Sequence, residues 1–211
     1  MNLAHRMDGG TMLGMSESFP IVQAGHPVLR TPAAPVPAEM IGTPALDELI
    51  TRMVMAMRQA PGVGLAAPQI GIGYQIIVLE DTEERMARLT AEQRDERGRQ
   101  PFPLTVILNP ALQLLEGERA VFFEGCLSVA GYAALVERAR AVEVTGLTPH
   151  GEPLRWQVSG WPARILQHEV DHVRGTLYVD RMLTRSFCSA EEAQSRWIDA
   201  PVAAVRAALR T

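Results

Sequence analysis

The segment His168-Glu169-Val170-Asp171-His172 places two imidazoles four residues apart, with a carboxylate directly after the first. On a helix, positions i and i+4 share a face, so His168 and His172 can grip one ion together. Glu169 can then reach a water on that ion. This is the H-E-x-x-H layout of metal-assisted hydrolysis, with Glu169 as proton carrier. Two histidines at this spacing can also be surface residues, or core residues satisfied by hydrogen bonds. The glutamate weighs against that reading. A third ligand would weigh further, because a catalytic zinc-type site uses three protein ligands and one open position.

Cys126, in Glu124-Gly125-Cys126-Leu127-Ser128, is the first candidate for that ligand. A thiolate is a strong metal donor, and Gly125 lets the backbone turn or approach a ligand closely. A buried free thiol fits the same residues, and spacing alone leaves both readings open. Gln69 follows a stretch without bulky side chains. Its neutral amide could hold an oxyanion without competing for the metal. Chemistry alone favours a plain polar residue in a turn.

The elements that must position these groups are partly legible. Ser159 or Gly160 can start a helix that carries the motif, Pro162 suits its first turn, and Gly175 suits its stop. Thr43 and Pro44 open a second, amphipathic helix over 44–59, whose methionines read as core filler. Gln75 to Leu79 reads as a buried strand. Val106–Leu108, Ala120–Phe123, Ala141–Thr148 and Leu154–Val158 read as further strands, punctuated at Asn109-Pro110, Glu116-Gly117 and Pro149-His150-Gly151. Thr176 to Val179 reads as one more short strand. Residues 81–103 read as a charged, solvated insertion with room for a short helix, and 190–209 as a terminal helix interrupted near Pro201. The expected fold is α+β. It is a single domain of short, mostly antiparallel strands around a central catalytic helix carrying H-E-x-x-H. A flexible extension is expected over 1–20, the catalytic domain over 21–185, and a largely helical tail over 186–211.

The 211 residues are 47% apolar with a net charge of −4, which leaves no electrostatic footprint for nucleic acid. No apolar run approaches the roughly 20 residues of a membrane span. Met1 to Pro20 has no apolar core of a secretory signal and little arginine. Two cysteines make no disulfide framework, and Cys188 reads as a small buried residue. These features point to a cytosolic setting.

Three motifs taken together resemble the peptide deformylase family, which removes the formyl group from the initiator methionine of new polypeptides. They are Gly62-Val63-Gly64-Leu65-Ala66-Ala67-Pro68-Gln69, then Glu124-Gly125-Cys126-Leu127-Ser128, then Gln167-His168-Glu169-Val170-Asp171-His172. The resemblance implies one divalent metal ion held by Cys126, His168 and His172. The working metal would be Fe2+, with Zn2+, Ni2+ or Co2+ as substitutes. Metal-bound water would be the nucleophile and Glu169 the general base and acid. Gln69 and the Leu127 N–H would hold the oxyanion. The backbones of Val63, Gly64 and Gly125 would pair with an extended substrate. It also implies a bracing pair between Glu124 and Arg138, with Asp171 bracing the site as well.

Phe122 and Ile165, which flank the second and third motifs, are the candidates for lining a methionine pocket, with plain core roles as the alternative. Expected partners are N-formylmethionyl nascent peptides, with the ribosome near the exit tunnel as a candidate contact; monomer and homodimer both stay open. Val129-Ala130-Gly131-Tyr132-Ala133 and the 81–103 insertion look like the branch that includes organelle enzymes. A bacterial cytoplasm is nonetheless expected ahead of an organelle matrix. A zinc endopeptidase would leave the E-G-C-L-S motif unexplained. A non-catalytic binder would have no use for Glu169.

Overall fold

The apolar run Ile76-Ile77-Val78-Leu79 lies at the centre of the fold, because both of its faces are buried. Alternate strand residues point to opposite sides. Ile77 and Leu79 enter one core cluster and Ile76 and Val78 another. These residues belong to β2 (Ile76–Asp81). The computed structural model describes residues 19–60, 62–87, 89–198 and 200–211. The expected loose extension over 1–20 lies outside the described residues up to residue 18.

β2 sits in a five-stranded antiparallel sheet in the order β1-β2-β3-β6-β7. The other strands of that sheet are β1 (Gly64–Ala66) and β3 (Phe102–Leu114), which flank β2, and then β6 (Ala141–Leu147) and β7 (Pro153–Ser159) beyond β3. A second sheet joins β4 (Arg119–Cys126), β5 (Val129–Ala139) and β8 (Cys188–Ser189) in that order. The α+β class and the mostly antiparallel strands are as the sequence suggests.

Helix α1 (Pro44–Gln59) matches its expected bounds. Thr43 Oγ1 accepts from Leu46 N at 3.3 Å, so one N-terminal amide is satisfied by the cap. Met53 and Met57 are fully buried against Ile76 and Val78. On the opposite face lies α4 (Trp161–Val173), whose Ala163, Leu166, Val170 and Val173 pack with Ile77, Leu79 and Val142. α4 is therefore fixed along one stripe by the five-stranded sheet, and its other stripe is left for chemistry.

Several local expectations need correction. The insertion is not merely solvated. It holds α2 (Glu83–Met86) and α3 (Ala91–Arg97), and buries Met86 and Asp81. Arg99 pairs with Asp81 at 2.7 Å. The insertion also docks on the start of α4, where Trp161 N donates to Gly98 O at 3.3 Å. Gly160 has φ +70°, and a Cβ there would lie 2.9 Å from Gly98 Cα. Asn109-Pro110 does not end a strand but makes a bulge inside β3, with Asn109 at φ +51° and Val36 N donating to its Oδ1 at 2.7 Å. β5 was not expected, because Gly131 and the Glu137-Arg138 pair mask its pattern. Thr176–Val179 is not a strand: a 3-10 turn over Tyr178–Asp180 stands there. At the C-terminus, α5 (Ala190–Glu192) runs into a π-turn over Ala193–Trp197, and α6 (Val202–Leu209) follows Pro201. Cys188 is half-buried in β8 rather than in the core. Among the described residues, no helix is long and apolar enough to cross a membrane.

Candidate functional site

α4 turns Arg164 and His168 toward Glu124 of the β4–β5 hairpin and Glu169 toward Gly64 of β1, with His172 one turn further on than His168. Cys126 is the last residue of β4, immediately before the two-residue turn Leu127-Ser128. Cys126 Sγ lies 3.2 Å from His172 Nε2. Donor atoms of Cys126, His168 and His172 all fall within 4.8 Å of one another. Sulfur and imidazole donors on a tetrahedral ion stand about 3.5 Å apart, so this cluster fits one first-row metal.

His168 Nδ1 is engaged by Glu124 Oε2 at 3.0 Å, which leaves Nε2 for a ligand. Burial works to lower the His168 pKa, but hydrogen bonds with Cys126 and Glu124 outweigh it and hold it well above the usual value. His172 is pushed well below its usual value by burial and then by the charge of His168, and so favours the neutral form that ligates.

The predicted brace between Glu124 and Arg138 is present, with bonds of 3.0 and 2.9 Å. Arg138 also donates to Asp171 Oδ2 at 2.5 Å, which ties β5 to α4. Two members escaped the sequence reading. Arg164 donates to Glu124 Oε1 at 2.6 Å, and Arg181 holds Asp171 through two 2.7 Å bonds. Arg164 stands one turn before His168, and that i, i+4 spacing was the available signal. Burial alone would raise the Glu124 pKa, yet His168 and Arg138 hold it well below the carboxylate range.

Glu169 is 3% exposed, and its Oε2 has no hydrogen-bond partner. Burial pushes its carboxyl up to about 7. Gln69 is 1% exposed. Its Oε1 accepts from Ala66 N at 2.8 Å, which turns Nε2 toward Ser128 Oγ at 3.4 Å and Cys126 Sγ at 3.6 Å.

A cavity of about 610 Å³ opens in front of these groups. Val63, Gly64, Gln69, Gly125, Leu127 and Ile165 line it, as do Cys126, His168 and Glu169. Phe122 does not. Neighbours on a strand face opposite ways, so Phe123 lines the cavity while Phe122 meets Trp161 edge-on and lies under the Arg164 guanidinium. Trp161, Ile21 and Tyr132 also line it and were not anticipated, since they come from elements that only folding brings together. The opening lies between β1 and β4, each an edge strand of its sheet.

The family model described as polypeptide deformylase matches residues 18–187. The chain is a member of that family. Members are hydrolases that remove the N-formyl group from the start of polypeptides, and this chain is such an enzyme. It is 50% identical over 200 residues to peptide deformylase 1A, chloroplastic, of Solanum lycopersicum, covering 92% of this chain and 70% of that one. It is 47% identical over 167 residues to the mitochondrial peptide deformylase of Homo sapiens, covering 79% and 69%. A class I type b peptide deformylase from Acinetobacter baumannii, solved with Met-Ala-Ser bound, superposes with a TM-score of 0.71 at 36% identity, over 80% of this chain and 100% of that one. These relatives overturn the expected priority of a bacterial cytoplasm. Chloroplastic and mitochondrial deformylases match at 50% and 47%, so the bacterial setting is not favoured over an organelle.

Proposed function

We propose that this deformylase hydrolyses N-formylmethionyl peptides with one divalent ion held by Cys126, His168 and His172. The observation that carries the reading is the buried Glu169 carboxylate, unpartnered at Oε2, beside this three-donor group at the cavity wall. When bound, the ion supplies Lewis acidity and lowers the pKa of a coordinated water from 15.7 toward about 7. Glu169 takes the proton as water adds to the formyl carbon, then passes it to the leaving amine, and formate departs. A carboxyl held at about 7 suits both halves of that task.

Gln69 Nε2 and the Leu127 N–H donate to the developing oxyanion, and losing one such donor typically costs about 10²–10³ in rate. The Ala66 N–H fixes the Gln69 amide, so little reorganisation is needed when charge appears. Substrate enters between the edges of β1 and β4 and pairs with the backbones of Val63, Gly64 and Gly125 as an added strand. Ile165, Phe123 and Trp161 wall the space for the methionine side chain. Formyl is the smallest acyl group, so a tight fit beside the donor cluster rejects acetyl by size. Fe2+ is the proposed working metal, and thiolate with imidazole also suits Zn2+, Ni2+ and Co2+. The deciding test is formate release from a formyl-methionyl tripeptide by protein loaded anaerobically with ferrous iron. Absence of turnover with one ion bound per chain would sink this function.

A further inference from the structure

Leu127 and Ser128 form the two-residue turn between β4 and β5, with Cys126 opposite Val129. In such a turn the peptide between the two central residues is the soft element, and its flip interconverts turn types. Here that peptide is held at both ends. Ser128 N donates to Cys126 Sγ at 3.4 Å. On the other side, Leu127 O accepts from Gln23 Nε2 at 3.0 Å. Gln23 Oε1 accepts from Ala130 N at 3.3 Å, so one side-chain amide spans the turn from outside. The chain around Gln23 is tied down as well. Ala24 N donates to Ser128 O at 2.7 Å, and Val22 N to Gln69 O at 2.9 Å. Ile21, next in line, forms part of the cavity wall.

We infer that Gln23 is a positioning residue for deformylation: it locks the Leu127–Ser128 peptide so that the Ser128 N–H stays on the Cys126 sulfur, and it holds in place the turn that carries the Leu127 N–H toward substrate. The second half of this statement rests on the proposed oxyanion role of Leu127. A trans peptide points its C=O and N–H in opposite directions, so clamping Leu127 O on the outside aims Ser128 N–H inward. A flip would place a carbonyl beside the sulfur where a donor now stands. Hydrogen bonding at a ligating cysteine tunes the metal it holds. The same strap holds the main chain of Gln69, so both proposed oxyanion donors hang on residues 22–24. Gln23 is itself exposed, so its replacement leaves no cavity and no buried unpaired group.

The test uses the full chain loaded with Co2+, comparing wild type with Gln23→Ala, Gln23→Glu and Gln23→Lys. The readouts are the thiolate-to-cobalt charge-transfer band, metal per chain, and kcat and KM on a formyl-methionyl tripeptide. Gln23→Ala and Gln23→Glu, which lose the donor to Leu127 O, are expected to bind one ion with the band moved to longer wavelength. Their kcat should fall about tenfold with KM changed less than about twofold. Gln23→Lys keeps a donor and should stay near wild type in both. A wild-type band and kcat in Gln23→Ala would overturn the inference, as would a rise in KM at constant kcat. A shifted band with wild-type kcat would leave Gln23 as a restraint on the sulfur alone and overturn its positioning role in deformylation.

Discussion

Gly64→Ala should disable this enzyme by a single methyl group. Gly64 lies in β1 with α4 directly across the cavity wall, and a Cβ there would meet Glu169 Cδ at 2.8 Å and Cγ at 2.9 Å, with Oε1 closer still. Carbon atoms pack at about 3.5–4.0 Å, so the Glu169 carboxyl must retreat by about 1 Å. It has little room to do so, because Glu169 is 3% exposed. Overpacking of this kind costs about 1–3 kcal/mol of stability. A displacement of about 1 Å at a reacting group costs about 10²-fold in rate. The three atoms nearest the added Cβ all belong to Glu169 and none to Cys126, His168 or His172, so metal content should stay at one ion per chain. The assay is kcat for formate release, read beside metal stoichiometry and Tm. A variant with full metal and near-normal kcat would refute the claim that Glu169 must stand where Gly64 leaves room for it.

Other outcomes follow from the same geometry. Glu169→Gln should retain the ion and lose at least about 10²-fold in kcat, and near-normal turnover would remove Glu169 as proton carrier. Cys126→Ala should lose metal affinity sharply; tight retention of one equivalent, read by chelator competition, would refute the ligand set. Arg138→Met leaves Glu124 and Asp171 without their shared cation, a buried loss of about 3–5 kcal/mol, and should lower Tm on the order of 10 °C. An unchanged Tm would show that Arg164 and Arg181 suffice. Phe123→Ala should raise KM for formyl-methionyl substrates more than Phe122→Ala does, because only Phe123 lines the cavity; the reverse order would refute the assignment of the methionine pocket.

Local signals made some of this chain readable before folding. Thr43-Pro44 and the spacing of apolar residues behind them set α1 to the residue, because a cap and a helical stripe are properties of neighbours in sequence. His168 and His172 share a face for the same reason, and the buried run of β2 was visible as an unbroken apolar stretch. β5 was not visible. The resemblance named Arg138 as a brace for Glu124, but alternation alone does not put a charged residue inside a buried strand, and Arg138 sits there because Glu124, Asp171 and α4 close around it. The residues of 81–103 likewise read as solvated until Gly98 meets Gly160.

By itself, then, the sequence determined which chemistry is present: two imidazoles on one helical face, a carboxylate between them, a thiol after a glycine, and the helix and strand that carry them. Only the tertiary structure decided what meets what. It brought Cys126 to 3.2 Å from His172, gave Glu124 three partners in Arg138, Arg164 and His168, turned Phe123 rather than Phe122 to the cavity, and laid Gln23 across the Leu127–Ser128 turn. The physical reason is range. Capping and periodicity act over a few residues along the chain, whereas ion pairs and the clamp on the turn join segments up to about a hundred residues apart, which only packing brings together.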